Sequence, residues 1–328
     1  MRMSDCISRL RSAALAVVLM LLAPHAAAAA EFPVKPVRWL LPFSPGGGTD
    51  ITARRIGAKL NEYWKQAVVV DNRPGATGNI ALETAAHALP DGYTILLISA
   101  SISINPALRK NLPYDLVRDF APITQMTSQP YILCVHPSVA ARSVSELIAA
   151  SKARKDGYTF GSSGTGGLSH LSGALLEMLG GANLVHIPYK GGGPLLTDLV
   201  AGQINVGFPT PLEGIPHIKS GRIRALGVTT LKRSTALPEL PTIAEAGVAG
   251  YEVNGWYGVL APAATPAAIL GKLNHDINRA LKSPDIVELF ARDGVDLVGT
   301  SREAFGAHVR AEVEKWKRIV PRAGIKVD

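Results

Sequence analysis

Short apolar runs alternate along the chain with segments whose apolar residues recur every three or four positions, the pattern of strands followed by helices in α/β units. Residues 37–42 read as a buried strand. A loop at 43–48 leads to a helix over 49–63 whose Ala53, Ile56, Leu60 and Tyr63 share one face. A strand at 67–70, a loop at 73–78, a helix at 79–88 and a strand at 94–99 continue the series. Residues 121–135 form a longer run, polar in its middle and interrupted at Pro130, which suits a strand that leaves one domain and enters another. A second α/β set follows, with strands at 158–161, 184–187, 204–208 and 223–228 and helices at 144–153, 169–179, 194–201 and 216–219. The run at 251–260 is a second candidate crossover. Helices over 265–283, 284–293 and 301–320 complete the pattern, with Pro266 and Ser301 at favourable starts. The expected fold class is α/β, in two α/β domains joined by two hinge strands. Residues 31–130 and 254–328 form a discontinuous domain 1, and residues 131–253 form domain 2. Such an arrangement leaves a cleft between the lobes, able to close by hinge motion.

The first thirty residues stand outside this pattern. Arg2, Arg9 and Arg11 precede an apolar run from Ala13 to Ala23, Pro24 ends it, and Ala26 to Ala30 offers A-x-A cleavage sites. This is a secretory signal, too short in its apolar core to span a bilayer, and residues 1–30 are expected to be removed. Cys6 leaves with it, so Cys134 cannot form an intrachain disulfide. Secretion without disulfides points to a bacterial periplasm. The formal net charge of +8 suits anionic solutes. It is scattered, however, and no basic stripe interleaves with aromatics, so nucleic acid is excluded as a partner.

The candidate chemistry lies in glycine-rich loops that precede helices. One is Pro42-Phe43-Ser44-Pro45-Gly46-Gly47-Gly48-Thr49-Asp50; another, in the second lobe, is Gly161-Ser162-Ser163-Gly164-Thr165-Gly166-Gly167-Leu168-Ser169-His170; a third is Arg73 to Asn79. Glycine lets backbone N–H groups approach a ligand, and the first turn of a helix offers unpaired donors and a favourable dipole to an anion. Each loop alone is equally a tight strand-to-helix turn; three of them over two lobes favour a carboxylate cradle. Phosphate-loop, dinucleotide and nucleophile-elbow motifs all fail: no lysine closes a glycine run before a helix, and Ser169 and Thr165 stand where the last two motifs need their final glycine. The histidines show no metal spacing, and neither a metal nor a cofactor is expected. His170 either contacts a ligand carboxylate or orients its loop. Trp256 and Tyr257 either wall the cleft or fill core. Asp50 and His170 are the one pair that an enzyme on this scaffold, a dehydratase or hydrolase, would recruit.

These residues resemble the solute-binding receptors of tripartite tricarboxylate transporters, the Bug (Bordetella uptake) family. The resemblance rests on Pro42 to Asp50, Asp71 to Ile80, Pro90-Asp91-Gly92-Tyr93-Thr94, Asn105-Pro106, Leu112-Pro113-Tyr114-Asp115 and Asp119-Phe120-Ala121-Pro122. It continues through Val185 to Gly191, Leu240 to Gly247, Trp256 to Pro262 and Ala323-Gly324-Ile325-Lys326. It implies a two-lobed, type II-like periplasmic binding fold that closes on a dicarboxylate, tricarboxylate, amino acid or aromatic acid, and no catalysis. In the family the loop matching Phe43 to Asp50 meets one ligand carboxylate through ordered waters, and the loop matching Ser162 to His170 presents donors from the other lobe. The ligand residues implied are Ser44, Gly46, Gly47, Gly78, Asn79, Ser99, Ser101, Ser163, Gly164, Thr165, Gly166 and His170. Pro209 and Thr210 join them where the family commonly has Asp after Gly207-Phe208. Without that carboxylate an amino-acid ligand becomes less favoured. Ser103 stands where the family often has His. The expected partners of this monomer are a small organic acid and the membrane permease subunits, or alternatively a sensor kinase.

Overall fold

The structure, a computed structural model, describes residues 32–320. The expected secretory segment and the 323–326 match lie outside the described residues. The chain begins with β1 (Val37–Leu41), α1 (Gly48–Trp64), β2 (Val68–Asn72), α2 (Asn79–Ala86), β3 (Thr94–Ser99) and α3 (Asn105–Leu108). It continues through β4 (Phe120–Pro130), β5 (Ile132–Val135), α4 (Val144–Ala153), β6 (Tyr158–Ser162), α5 (Leu168–Gly180), β7 (Leu184–Pro188) and α6 (Gly192–Val200). Then come β8 (Val206–Gly207), α7 (Pro211–Lys219), β9 (Arg224–Val228) and β10 (Asn254–Pro262). The last elements are α8 (Ala267–Leu281), α9 (Pro284–Arg292), β11 (Asp296–Leu297) and α10 (Arg302–Ile319).

The strands form two sheets with helices against them, ordered β11-β4-β10-β3-β1-β2 and β7-β6-β8-β5-β9. The α/β fold in two lobes is as the pattern predicts. Both sheets are mixed, though. β1 pairs in parallel with β2 and β3, whereas β10 runs antiparallel to both β3 and β4. In the second sheet β6 is parallel to β7 and β8, and β5 is antiparallel to β8 and β9. The antiparallel strands are the ones next to the two crossings, where the chain returns instead of making another right-handed helical crossover.

The first crossing falls at Tyr131. The expected single strand over 121–135 is split there, because Pro130 has no N–H to donate and the chain changes sheet at that residue. The return segment precedes β10, whose antiparallel ladder with β4 extends from Asn254↔Pro130 to Pro262↔Phe120. Tyr131 N donates to Thr229 Oγ1 (2.8 Å) and Val253 N to Thr229 O (2.8 Å), so the two crossings are tied side by side through one threonine.

Two helix starts differ from the sequence pattern in ways that matter for the site. α6 begins at Gly192, within the glycine run that precedes Pro194. α7 begins at Pro211 and not at Pro216. Thr210-Pro211-Leu212-Glu213 is a helix start with proline in the first turn, and the Glu213 carboxylate accepts the Thr210 N–H (2.8 Å). The interior proline at 216 masks this signal in a reading by proline position alone. A 3-10 turn over Ala100–Ile104 and α3 follow β3, where the sequence pattern shows no element.

Candidate functional site

The carboxyl ends of β1, β3 and β6 and the N-termini of α1, α6 and α7 converge where the two sheets face each other. The loop before α1 lies against the loop before α6. Ser44 donates both its N–H and its hydroxyl to Lys190 O, each at 3.0 Å. Further bonds join the sides. Leu168 N donates to Ser101 Oγ (3.0 Å), Thr77 Oγ1 to Thr165 O (3.3 Å), and Gly48 N to Glu213 Oε1 (2.6 Å). The lobes are therefore closed on each other in this structure.

Closure leaves an inner cavity of ≈ 30 Å³, lined among others by Thr49, Ser99, Ser101, Ser163, Thr210 and Tyr257. At roughly 10–15 Å³ per water, it holds about two waters or the head of a carboxylate. Ser99 Oγ is buried at the cavity, 4% exposed as a residue, and has no hydrogen-bond partner. A buried hydroxyl without a partner costs free energy, so this site is built to receive a polar group. Beside it, a second cavity of ≈ 230 Å³ is lined by Thr77, Gly78, Ser163, Gly164, Thr165 and Lys190 among others. Phe43 and Ser163 line both, so the two spaces are neighbours.

Of the residues singled out by sequence, the structure brings Gly47, Ser99, Ser101, Ser163 and Thr210 to the inner cavity, and Gly78, Ser163, Gly164 and Thr165 to the outer one. Ser44 and Gly46 lie in the loop contact beside them. Asn79 lines neither cavity; its Oδ1 accepts from the Tyr114 hydroxyl (2.7 Å) and Asn105 Nδ2 (3.0 Å) inside the first lobe. His170 serves the loop: its Nδ1 accepts the Gly166 N–H (2.9 Å). Pro209 O accepts the Ile132 N–H (2.9 Å), which ties β8 to β5.

The amides differ from expectation in a consequential way. The glycine loops were expected to hold their N–H groups free for an acid, yet many are paired within the protein. Ser163 N donates to Ser169 Oγ (2.9 Å), Gly164 N to Ser162 Oγ (3.3 Å) and Gly167 N to Gly164 O (3.1 Å). In the first loop Gly46 N donates to Asp50 Oδ2 (3.0 Å). A loop closed on itself meets the demand that buried amides be satisfied, which glycine content alone does not reveal. Hydroxyls, which rotate, are therefore the groups that face the inner space.

Three features of the site escape the sequence reading. Glu213, 6% exposed, projects its carboxylate into the cavity wall. Gly192 supports the same wall, and Tyr131 supplies a hydroxyl from the first crossing; Tyr257, for which the sequence left cleft wall and core open, lines the cavity too. Burial, with the nearby Glu213 charge, raises the Tyr257 pKa and keeps that phenol protonated as a donor. Trp256, one residue away, instead joins the core, edge-on to Phe305 at 5.7 Å. Asp50 Oδ2 takes both Arg54 (3.0 Å) and Gly46 N, its buried Oδ1 has no partner, and His170 Nδ1 is taken by Gly166 N, so no hydrogen bond joins Asp50 to His170 as an acid–base pair.

His170 and His186 stack at 3.8 Å with ring planes 10° apart, and His186 Nε2 meets Ser162 Oγ at 2.6 Å. Burial, and then the His170 ring, lower the His186 pKa from 6.5 to about 4. The unfolded chain thus binds a proton that the folded chain refuses between those values. The stabilisation is complete above pH 6.5 and is lost as pH falls through about 4. Allowing for partial exposure, the loss is on the order of 2 kcal/mol. Thermal melts between pH 7 and pH 4 are expected to show a steeper fall for the wild type than for His186→Gln, and parallel curves would remove His186 as the cause.

Among the described residues no helix is long and apolar enough to cross a membrane, and no group of three or more His, Cys, Asp or Glu is placed to hold a metal ion. Cys134 is buried and free, its thiol pKa pushed up by burial.

A family model described as tripartite tricarboxylate transporter family receptor matches residues 52–325. Among solved structures, the periplasmic binding protein BugD superposes with a TM-score of 0.87 at 34% identity, covering 90% of this chain and 99% of that one. R. palustris Rpa4515 with adipate gives 0.86 at 36% identity, covering 90% and 99%. MatC (Rpa3494) from Rhodopseudomonas palustris with bound malate gives 0.83 at 30% identity, covering 88% and 100%.

Proposed function

From the premise that the chain belongs to the tripartite tricarboxylate transporter receptor family, whose members are periplasmic binding proteins, we propose that it captures a small carboxylate in the cleft between its lobes and delivers it to membrane permease subunits. The observation that carries this reading is the hydroxyl-lined inner cavity, with residues of both sheets in its wall and Ser99 Oγ left unpartnered. A carboxylate head enters this space and accepts from Ser99, Ser101, Ser163 and Thr210, while the rest of the acid lies in the adjoining outer cavity near Lys190. Hydrogen bonds to a charged group contribute about 1.5–3 kcal/mol each, so a few of them reach micromolar affinity, about −8 kcal/mol, after ordering costs. The adipate and malate of its structural relatives support an acid ligand. We assign residues 31–130 and 254–328 to one lobe and residues 131–253 to the other, with the crossings at Tyr131 and before β10 as hinges. The protein acts as a binder without turnover, because the acid and imidazole groups near the cleft are held by loop amides.

A thermal-shift screen of the purified protein against mono-, di- and tricarboxylic and aromatic acids tests the reading. A ligand at a hundredfold excess over its Kd stabilises the protein by about 2.7 kcal/mol, a readily visible shift. A panel in which no acid moves the melting curve contradicts it.

A further inference from the structure

Two segments that stand out in the sequence, Asn105-Pro106 and Leu112-Pro113-Tyr114-Asp115, line neither cleft cavity. They border a separate groove of ≈ 470 Å³ between α10 and the chain that follows α3. Its lining comes from residues 106–117 and 310–317, all before the first crossing or after β10, so hinge motion of the cleft leaves the groove intact. Leu112 and Val313 make part of the wall apolar. Tyr114 is fixed there by its hydroxyl, which donates to Asn79 Oδ1 (2.7 Å), and by an edge-on contact with Phe120 at 6.1 Å. Four cations, Arg109, Lys110, Arg310 and Lys317, face two carboxylates, Asp115 and Glu314. Both carboxylates are already engaged. Asp115 Oδ1 accepts from Val117 N (2.8 Å) and Arg118 N (2.9 Å), and Glu314 pairs with Lys317 (2.9 Å). Among the described residues Arg109, Lys110 and Arg310 belong to no ion pair, and Arg109 Nε is buried without a hydrogen-bond partner.

We propose that this groove is a second ligand site, for a small organic dianion with an apolar body, its oxyanions carboxylate or phosphate. It goes beyond the cleft and does not depend on what the cleft binds. The lining carries two positive charges in excess of its negative ones, and a dianion neutralises both where a monoanion leaves one. Arg109 and Arg310 bring guanidinium groups, whose planar fork of donors matches carboxylate and phosphate oxygens in pairs. A buried N–H without a partner costs free energy, and an oxyanion that draws the Arg109 guanidinium round gives it one. The apolar wall receives the ligand's body, and Tyr114, held on two sides, needs no reordering to do so. The groove's size falls within the range of about 300–1,000 Å³ that small-molecule sites occupy.

Calorimetric titration with phthalate, phenyl phosphate and the monoanion benzoate tests this, at about pH 8, where the phosphate is past its second pKa of about 6. At least one dianion is expected to bind the wild type with a Kd below about 1 mM and about tenfold more tightly than benzoate. The tighter of the two shows whether carboxylate or phosphate is the preferred oxyanion. Arg109→Gln and Arg310→Gln are each expected to weaken that dianion about fivefold or more, through lost charge-assisted hydrogen bonds. Ser99→Ala, in the cleft, is expected to leave it within about twofold. Arg310 is exposed on α10, so its variant decides the matter even if Arg109→Gln proves unstable. Failure of both dianions to bind overturns the proposal, as does benzoate binding equally well. A dianion whose affinity survives Arg310→Gln also overturns it, and a loss with Ser99→Ala alone would place that acid in the cleft.

Discussion

Gly48→Ala is expected to weaken acid binding about a hundredfold while the protein remains folded, a loss of about 2.8 kcal/mol. Gly48 opens α1 and its amide meets Glu213 across the cleft. A β-carbon at this position would overlap the Tyr257 hydroxyl and lie 2.5 Å from Thr210 Oγ1. Tyr257 is held in β10 and is buried, so its ring has nowhere to retreat, and Thr210 starts α7 from the opposite lobe. The methyl group therefore either holds the lobes apart or fills much of a cavity of only ≈ 30 Å³. Either outcome removes the space for a carboxylate head. The Thr210 contact lies between lobes and is relieved when they part, whereas the Tyr257 contact lies within the first lobe, so a modest fall in melting temperature accompanies the loss of binding. Calorimetry with the tightest acid from the screen, together with a thermal melt, separates the two effects. Unchanged affinity would place the ligand elsewhere.

Gly258→Ala is expected to destabilise the protein by about 3 kcal/mol, within the upper range for overpacking a dense core. Gly258 sits in β10, between β3 and β4, and an added β-carbon would penetrate the ring of Phe305, with further ring atoms at 2.7 and 2.9 Å. Phe305 is fully buried in α10 and packed edge-on against Trp256, so it cannot swing aside. The melting temperature is expected to fall by roughly 6–12 °C, at about 2–4 °C per kcal/mol for a chain of this size class. Phe305→Leu removes ring atoms at the contact. In the double variant it should recover part of the loss, so the two substitutions are non-additive. Full additivity in a double-mutant cycle would show that the clash is relieved in some other way. This glycine positions the site at one remove, since it lets α10 cover the strand that carries Tyr257.

How far these features are visible in sequence depends on what creates them. The helices over Ala53, Ile56 and Leu60 and the strands around Trp39 and Ile98 announce themselves by period, because one face or both must be buried. The first passage between sheets is readable from Pro130 and the polar middle of the run over 121–135, and the second from the run over 251–260. The loops at Gly46–Gly48 and Ser163–Gly166 are visible because close backbone approach demands glycine, and the structure does bring them to one cleft. What those loops do with their amides is not visible. Whether Gly166 N meets a ligand or His170 Nδ1 depends on a side chain four residues on, whose direction no periodicity encodes. Glu213 is hidden for a related reason. In sequence it is the third residue of a proline-initiated helix, a local cap, and only the packing of α7 against α1 turns that cap into the wall of a binding site. Gly192 is similar: it reads as loop and proves to be the first turn of α6 beside that same carboxylate.

A crystal structure of the protein with the tightest acid from the screen tests the proposed site most directly. The ligand carboxylate is predicted to lie within hydrogen-bond distance of Ser99 and Ser101 from one lobe and of Ser163 or Thr210 from the other. An acid bound on one lobe alone, or outside the cleft with Ser99 Oγ still unpartnered, would contradict it.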